Sequence, residues 1–338
     1  MPRARLAPFA SPLFAALLFA APLFAALGLA APLSAAAASF ALPSSGDDLV
    51  GELSVVVARE EDTLLDIARQ HDLGFNEIAA ANPDIDPWLP GAGARVVLPL
   101  QFVLPAGPRS GIVINLEQMR LFYFPESGAN AGRVVTHPLG VGVEHGATPL
   151  GQTRVIRKAV DPVWRPPQSI RAARAAAGET LPEVVPPGPD NPLGRHALYL
   201  GFPGYLVHGT NRPWGIGMRV SGGCIRLYPE DIESLYAQVP PGTAVRIVSE
   251  PFAVGLLRGM PYVQVFARPE RDADNRSYTP LVEGLIRAAP NAALDWGRVL
   301  RTAKEQRALA IPVGRSAPTL EQLISGAQRA AAAPPQER

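Results

Sequence analysis

Cys224 is the only cysteine in this 338-residue sequence. It follows Ser221-Gly222-Gly223 and precedes Ile225-Arg226-Leu227. A lone thiol forms no internal disulfide, so it is either a small packing residue or a reactive group. Its neighbours favour reactivity. Gly222 and Gly223 permit positive φ and let a substrate approach the backbone closely. The N–H groups of Gly223 and Cys224 would then face one concavity and hold an oxyanion. A nucleophilic thiol also needs a base. Five histidines compete for that role. His71 is expected on a surface, His137 precedes Pro138 at a strand end, His145 sits in a Glu144-His145-Gly146 turn, and His196 opens a strand. His208 ends the apolar strand Tyr205-Leu206-Val207 and is followed by Gly209-Thr210, which puts its side chain at a sheet rim. Cys224 and His208 are therefore the expected nucleophile and base, with activity falling on acidification through the imidazole range. One Cys and scattered His give no CxxC or HxxxH spacing, so neither a metal site nor a cofactor is expected. No caspase-type or papain-type signature surrounds the cysteine.

The elements that position these residues read as mainly β. From Gly111, short β-branched runs alternate with turns: Ile112–Leu116 and Met119–Phe124 around a two-residue Glu117-Gln118 connection, then Val134–Thr136, Leu139–Val143 and Thr153–Lys158. Residues 161–194 form a Pro-rich insertion with a short helix over Ser169–Ala177. Ala197–Leu200 and Tyr205–His208 are further strands. One helix from Pro229 to Tyr236 follows the cysteine loop and offers its positive end to the sulfur. Thr243–Val248 closes the domain. Many short strands with one convincing helix indicate a sandwich or barrel-like domain. Residues 250–274 add a small β extension, and 275–338 read as helical and then disordered.

The start of the chain has Arg3 and Arg5, then an uncharged Leu/Ala/Phe run to about Ala38. That run ends in Ala35-Ala36-Ala37-Ala38-Ser39, which offers several small-x-small cleavage sites. Prolines at 12, 22 and 32 and the alanine-rich end favour a cleaved signal peptide over 1–38 rather than a retained span. A net charge of +1 gives no electrostatic case for nucleic acid. Residues 51–99 read as a compact β-α-α-β unit. Leu53–Ala58 and Arg95–Pro99 are its strands, Asp62 caps a helix carrying Leu64, Ile67 and Ala68, and Asn82-Pro83 stops a second.

This unit resembles a LysM module in Glu61-Asp62-Thr63-Leu64, Ile67-Ala68, Ala80-Ala81-Asn82-Pro83 and Pro90-Gly91 with Val96-Val97-Leu98-Pro99. The resemblance implies binding to the glycan of peptidoglycan. A packing unit without a ligand is the alternative. Trp88 would either stack on a sugar or cover the small core.

A second resemblance covers residues 109–249. His208-Gly209-Thr210 with Ile216-Gly217-Met218-Arg219-Val220-Ser221-Gly222-Gly223-Cys224-Ile225-Arg226-Leu227 is similar to the signature of bacterial L,D-transpeptidases, the YkuD-domain proteins. Thr148–Gly151, Asp161–Pro167 and Pro241–Val245 match further positions. The resemblance implies that Cys224 attacks the diaminopimelate carbonyl of a peptidoglycan tetrapeptide stem and forms a thioester as D-alanine leaves. An acceptor amine, from a second diaminopimelate or from a lipoprotein lysine, then resolves it. It also implies that the Gly209 carbonyl orients His208, that Ser221 supports the loop, and that Arg226 orders the loop or meets a substrate carboxylate. Many members have His where this chain has Gly222. The order of modules resembles periplasmic enzymes of Gram-negative bacteria. The same acyl-enzyme would equally serve a hydrolase, either an L,D-carboxypeptidase or an amidase that releases lipoprotein. A non-catalytic wall-binding protein is the third reading.

Overall fold

The computed structural model describes residues 38–43, 46–142, 148–267 and 277–329. The signal-like run, His145 and the last nine residues therefore lie outside the described residues.

The chain begins with β1 (Ala38–Ala41), β2 (Leu49–Gly51) and β3 (Ser54–Val57), followed by helices α1 (Leu64–Gln70) and α2 (Phe75–Ala81), then β4 (Arg95–Leu98) and β5 (Gln101–Val103). The β3-α1-α2-β4 order is fixed by local chemistry. Thr63 rather than Asp62 caps α1: its hydroxyl accepts from the Asp66 N–H, and the Asp66 side chain accepts from the Thr63 N–H. Asp62 is instead claimed by Arg59, at 2.7 Å. Asn82 explains why an Asn-Pro pair ends α2. Its buried amide donates to the carbonyls of Ile78 and Val97 at 2.8 Å each and accepts from the Val97 N–H at 2.7 Å, pinning the helix end to β4.

The second segment runs β6 (Gly111–Asn115), β7 (Arg120–Phe124), β8 (Arg133–Pro138), β9 (Val141–Gly142), β10 (Gly151–Val160), α3 (Gln168–Ala176), β11 (His196–Leu200), β12 (Leu206–His208), β13 (Arg219–Ser221), β14 (Ile225–Arg226), α4 (Pro229–Gln238) and β15 (Ala244–Val248). Nine strands share one mixed sheet in the order β1-β8-β7-β6-β15-β10-β11-β12-β14. Its core is the set of residues that alternate inward, such as Ile112, Ile114, Leu121, Val155, Leu198, Val207, Ile225 and Val245, closed by Ile232 and Leu235 of α4. The β6–β7 connection is longer than the two residues expected. Asn115 pairs with Arg120, because Leu116 leaves the hairpin and donates its N–H to Val248 of β15 at 2.9 Å.

The last segment forms β16 (Phe252–Leu257), β17 (Met260–Val265), α5 (Thr279–Ala288), α6 (Trp296–Glu305), β18 (Ala310–Pro312), α7 (Leu320–Gly326) and β19 (Gln328–Arg329). The expected hairpin and helices are present. Two strands were not anticipated: β18 extends the hairpin and β19 pairs in parallel with β3. The described part of the C-terminal region is therefore ordered structure with its own core around Val263, Leu281, Leu285 and Val299.

The β-α-α-β unit shares a core with the large sheet. Leu64, Ile67, Ile78, Val96 and Phe102 pack in one cluster with Val113, Phe122 and Val134. At its centre lies Arg120, fully buried. Its guanidinium donates from Nε and Nη2 to Glu77 of α2 at 3.1 and 2.8 Å, and from Nη2 to the Asp72 carbonyl at 2.8 Å. The Phe102 ring lies 4.3 Å from its Cζ. A buried ion pair is a poor source of net stability, yet removing one member strands the other charge. Glu77→Ala is therefore expected to lower unfolding free energy by about 3–5 kcal/mol in urea titration. Glu77→Leu combined with Arg120→Met is expected to recover most of that loss. A single-mutant loss below 1 kcal/mol would show that water reaches the guanidinium.

Candidate active site

The β12–β14 pair sets the geometry. These strands are parallel and in register, with Val207 opposite Ile225 and His208 opposite Arg226. Side chains alternate along a strand, so the two core residues Val207 and Ile225 point one way. His208 and Arg226 point the other way, and the Cys224 thiol, just before the strand, lies close enough to feel the Arg226 charge. The imidazole and the guanidinium therefore share one face of the sheet.

His208 is buried at 2 % exposure. Its Nδ1 lies 2.6 Å from the Gly209 carbonyl, which orients the ring. The ring's pKa falls to about 4, chiefly through burial and next through the Arg226 charge, against the favourable carbonyls of Gly209 and Leu193. The resting imidazole is neutral. Cys224 is half-buried, and its thiol donates to the Gly204 carbonyl at 3.7 Å. Burial pushes the thiol up, while the Leu206 N–H and the Arg226 charge oppose that rise. Arg226 thus does two compatible things: it disfavours imidazolium and favours thiolate. Its own pKa is lowered by burial and by the neighbouring charges of Arg212 and Arg174. Of these, Arg174 belongs to α3 of the Pro-rich insertion and is paired with Glu179 at 2.7 Å.

The loop before the cysteine is braced from within. Ser221 is buried, donates to the Cys224 carbonyl at 2.5 Å and accepts from the Gly223 N–H at 3.2 Å. Thr148 donates to the Gly223 carbonyl at 2.8 Å. Only Gly223 has the left-handed backbone, at φ +114; Gly222 does not. The Gly223 N–H is spent on Ser221, so the expected donor pair reduces to the Cys224 N–H. Gly222 lies close to the insertion: a Cβ there would sit 3.1 Å from Ile170 Cδ1 of α3, a contact a small movement of that side chain would relieve. The positive end of α4, expected to face the sulfur, carries its own acidic residues. Glu230 and Asp231 occupy its first turn, and Glu230 pairs with Arg69 of α1 at 2.9 Å.

The β-α-α-β unit also touches this loop. The N–H groups of Phe75 and Asn76 at the start of α2 donate to the carbonyls of Ile216 and Gly217 at 3.1 and 3.3 Å. Gly217 has φ +84, and a Cβ on it would fall 2.1 Å from the Phe75 nitrogen. Tyr228, between the cysteine and α4, donates to the Leu73 carbonyl at 3.1 Å.

The other histidines lie elsewhere. His196 packs on Tyr236 with ring centroids 4.7 Å apart. His71 is half-buried rather than on the surface, with Nε2 unpartnered. His137 is fully buried beside Asp72 and Asp231. That grouping was invisible to motif spacing, because its members are far apart in the chain. Asn191 was also missed. It is fully buried, donates to the Pro162 carbonyl at 2.8 Å and accepts from the Leu193 N–H at 2.9 Å. It thereby anchors the insertion and sets the Leu193 carbonyl near His208. An Asn inside a Pro-rich loop was the only available signal.

Comparison with known proteins places this site in context. The family described as L,D-transpeptidase catalytic domain matches residues 109–247. The probable L,D-transpeptidase YcfS of Escherichia coli (strain K12) is 46 % identical over 223 residues, covering 64 % of this chain and 69 % of that protein. The probable L,D-transpeptidase YbiS of the same strain is 44 % identical over 219 residues, covering 64 % and 70 %. The probable L,D-transpeptidase ErfK/SrfK of Salmonella typhimurium (strain LT2) is 43 % identical over 218 residues, covering 64 % and 69 %.

The geometry predicts a resting thiol beside a neutral imidazole. Alkylation of Cys224 by iodoacetamide is expected to rise with pH to a midpoint above that of free cysteine. A midpoint below pH 7 would instead reveal a resting thiolate–imidazolium pair.

Proposed function

This chain belongs to the L,D-transpeptidase family, and we propose that Cys224 is the nucleophile through which it acts on peptidoglycan stem peptides. The observation that supports this reading is the register that sets His208 opposite Arg226, with the Arg226 charge acting on both the imidazole and the Cys224 thiol. His208, neutral and held by Gly209, takes the thiol proton as sulfur attacks the diaminopimelate carbonyl. The Cys224 N–H meets the oxyanion. The bond to D-alanine breaks, the imidazolium returns its proton to the leaving amine, and a thioester remains. His208 then deprotonates the incoming amine, which displaces sulfur. Arg226 and Arg212 offer positive charge to the carboxylates of the stem peptide. The products are 3-3 crosslinks or lipoprotein attached to the wall. Water in place of the amine would make the same site a carboxypeptidase or an amidase that releases lipoprotein.

The β-α-α-β unit supports a LysM-like role in holding glycan. Trp88 is 57 % exposed and stacks on Phe75 at 5.9 Å, which leaves a ring face available for a sugar. The leader-like first residues support export to the periplasm. No helix among the described residues is long and apolar enough to cross a membrane.

Incubation with tetrapeptide-bearing muropeptides and mass spectrometry tests this reading. Crosslinked dimers are expected from the parent protein and none from Cys224→Ala. His208→Gln is expected to lower kcat by about 100-fold or more. Loss of D-alanine without dimer would favour the hydrolase. Folded protein with intact Cys224 and no product would sink both, leaving a wall-binding protein.

The pH profile is altered from the sequence expectation by burial. A base whose pKa lies at about 4 stays unprotonated through the ordinary imidazole range. The acid limb of kcat/KM, which reports the free enzyme, is therefore expected near pH 4, with little change from pH 8 to pH 5. A limb centred near pH 6.5 would show that the ring is solvated.

A further inference from the structure

Away from the catalytic face, Asp72, His137 and Asp231 bring their ligand atoms within 4.8 Å of one another, all buried. They come from three elements: the turn after α1, β8, and the first turn of α4. His137 Nδ1 lies 3.3 Å from Asp231 Oδ1 and 4.0 Å from Asp72 Oδ2. Both His137 ring nitrogens, Asp72 Oδ1 and Asp231 Oδ2 have no hydrogen-bond partner. Buried polar atoms are rarely left so, because each unmet group costs free energy. The nearby Arg120 guanidinium is held bidentately by Glu77. Burial and then the facing Asp231 charge push Asp72 well above the carboxylate range, and burial pushes Asp231 to about 7. The two carboxyl groups face each other within hydrogen-bonding reach, and the Arg120 charge acts on both while its guanidinium stays paired with Glu77.

One donor already points into it. The Ala38 N–H donates to Asp72 Oδ2 at 2.9 Å. Ala38 opens β1, which the pairing of Ser39 with Val135 and Phe40 with Val134 fixes against β8. In the sequence, Ala35-Ala36-Ala37 is a small-x-small site whose cut falls immediately before Ala38. We propose that hydrolysis of the Ala37–Ala38 bond creates an amino terminus that docks as an ammonium between Asp72 and Asp231. In that hydrolysis by a leader-removing endopeptidase, water supplies oxygen to the new Ala37 carboxylate. The C–N bond breaks, and the Ala38 nitrogen leaves as an amine that is protonated. One amide donor becomes three, with a full positive charge, within reach of two carboxylates.

The consequence reaches the active site through α4. Asp231 sits in the first turn of the helix that directly follows the cysteine loop, so leader removal completes the cluster that anchors that helix. Cuts elsewhere in the alanine run do not serve. A cut before Ser39 deletes the donor, and a cut before Ala37 leaves it a neutral amide.

The inference rests on the export reading given above, and the test separates the two. The full chain is expressed with its own leader, isolated from the cell envelope and weighed intact. The expected mass begins at Ala38. Its α-amine is then challenged with an α-amine-selective pyridine aldehyde. Labelling is expected to be about 100-fold slower in the native protein than in urea, because reaction awaits local opening. Asp72→Asn is expected to speed native labelling at least tenfold and to lower Tm by about 6–10 °C. Where Asp72→Asn fails to fold, the protection factor of the parent chain decides alone. A chain beginning at Ala38 that labels at its unfolded rate overturns the docking. A mass beginning at another residue overturns it too but leaves export standing, and a mass that retains residues 1–37 defeats both. A bound divalent ion in the native mass, with a Tm lowered by EDTA, would assign the cluster to a metal and overturn the ammonium.

Discussion

The two-residue parallel pairing of β12 with β14 is the constraint on which the active face depends. Parallel neighbours cannot be joined by a tight turn, so the chain between His208 and Cys224 must cross over and return. That excursion carries the loop from Gly209 to Gly223, and the rest of the protein holds it. β13 pairs with β9, the Gly140–Arg226 bridge covers the outer edge of β14, and α2 presents its first N–H groups to Ile216 and Gly217. A slip of one residue in this register would send Cys224 into the core and bring Ile225 to the surface. Val207 and Ile225, both essentially unexposed, oppose such a slip through the apolar contacts it would break.

The second constraint is the shared core between the β-α-α-β unit and the large sheet. Such a unit can fold as a separate bead on a linker, but here its apolar residues pack on Val113, Phe122 and Val134. The ionic links follow the same path: Arg120 with Glu77, and Arg69 with Glu230. The second of these joins α1 to the helix after the cysteine loop. A wall-binding role for the unit and an architectural role for the catalytic loop are therefore compatible. Trp88 stacks on Phe75, whose own N–H braces the loop at Ile216, so the exposed ring and the brace lie at the same end of the unit.

Much of the site was legible in the sequence because its chemistry is local. Ser221, Gly223 and Cys224 lie within four residues, and His208 is followed by the carbonyl that orients it. Hydrophobic alternation showed the strand that ends at His208, but not the short strands β13 and β14 on either side of Cys224. Pairings across long separations were not legible. Arg120 with Glu77, Asp72 with His137 and Asp231, and Asn191 beneath the base combine residues whose individual contexts look ordinary. The expected donor pair at Gly223 and Cys224 was altered by Ser221, whose hydroxyl takes the Gly223 N–H. The unanticipated strands β18 and β19 are only three and two residues long. Edges of existing hairpins define them, and no periodicity of their own announces them.

The departure at Gly222 has a structural counterpart in the insertion. Where many members of the family carry a His, this chain leaves room that Ile170 of α3 approaches. α3 buries none of its own residues, so the bridge between Trp164 and Val185 and the buried Asn191 hold it at the base rather than through a core. The same helix carries Arg174, whose charge acts on Arg226. The insertion thus brings an apolar side chain toward Gly222 and a charge toward Arg226 on one separately anchored helix.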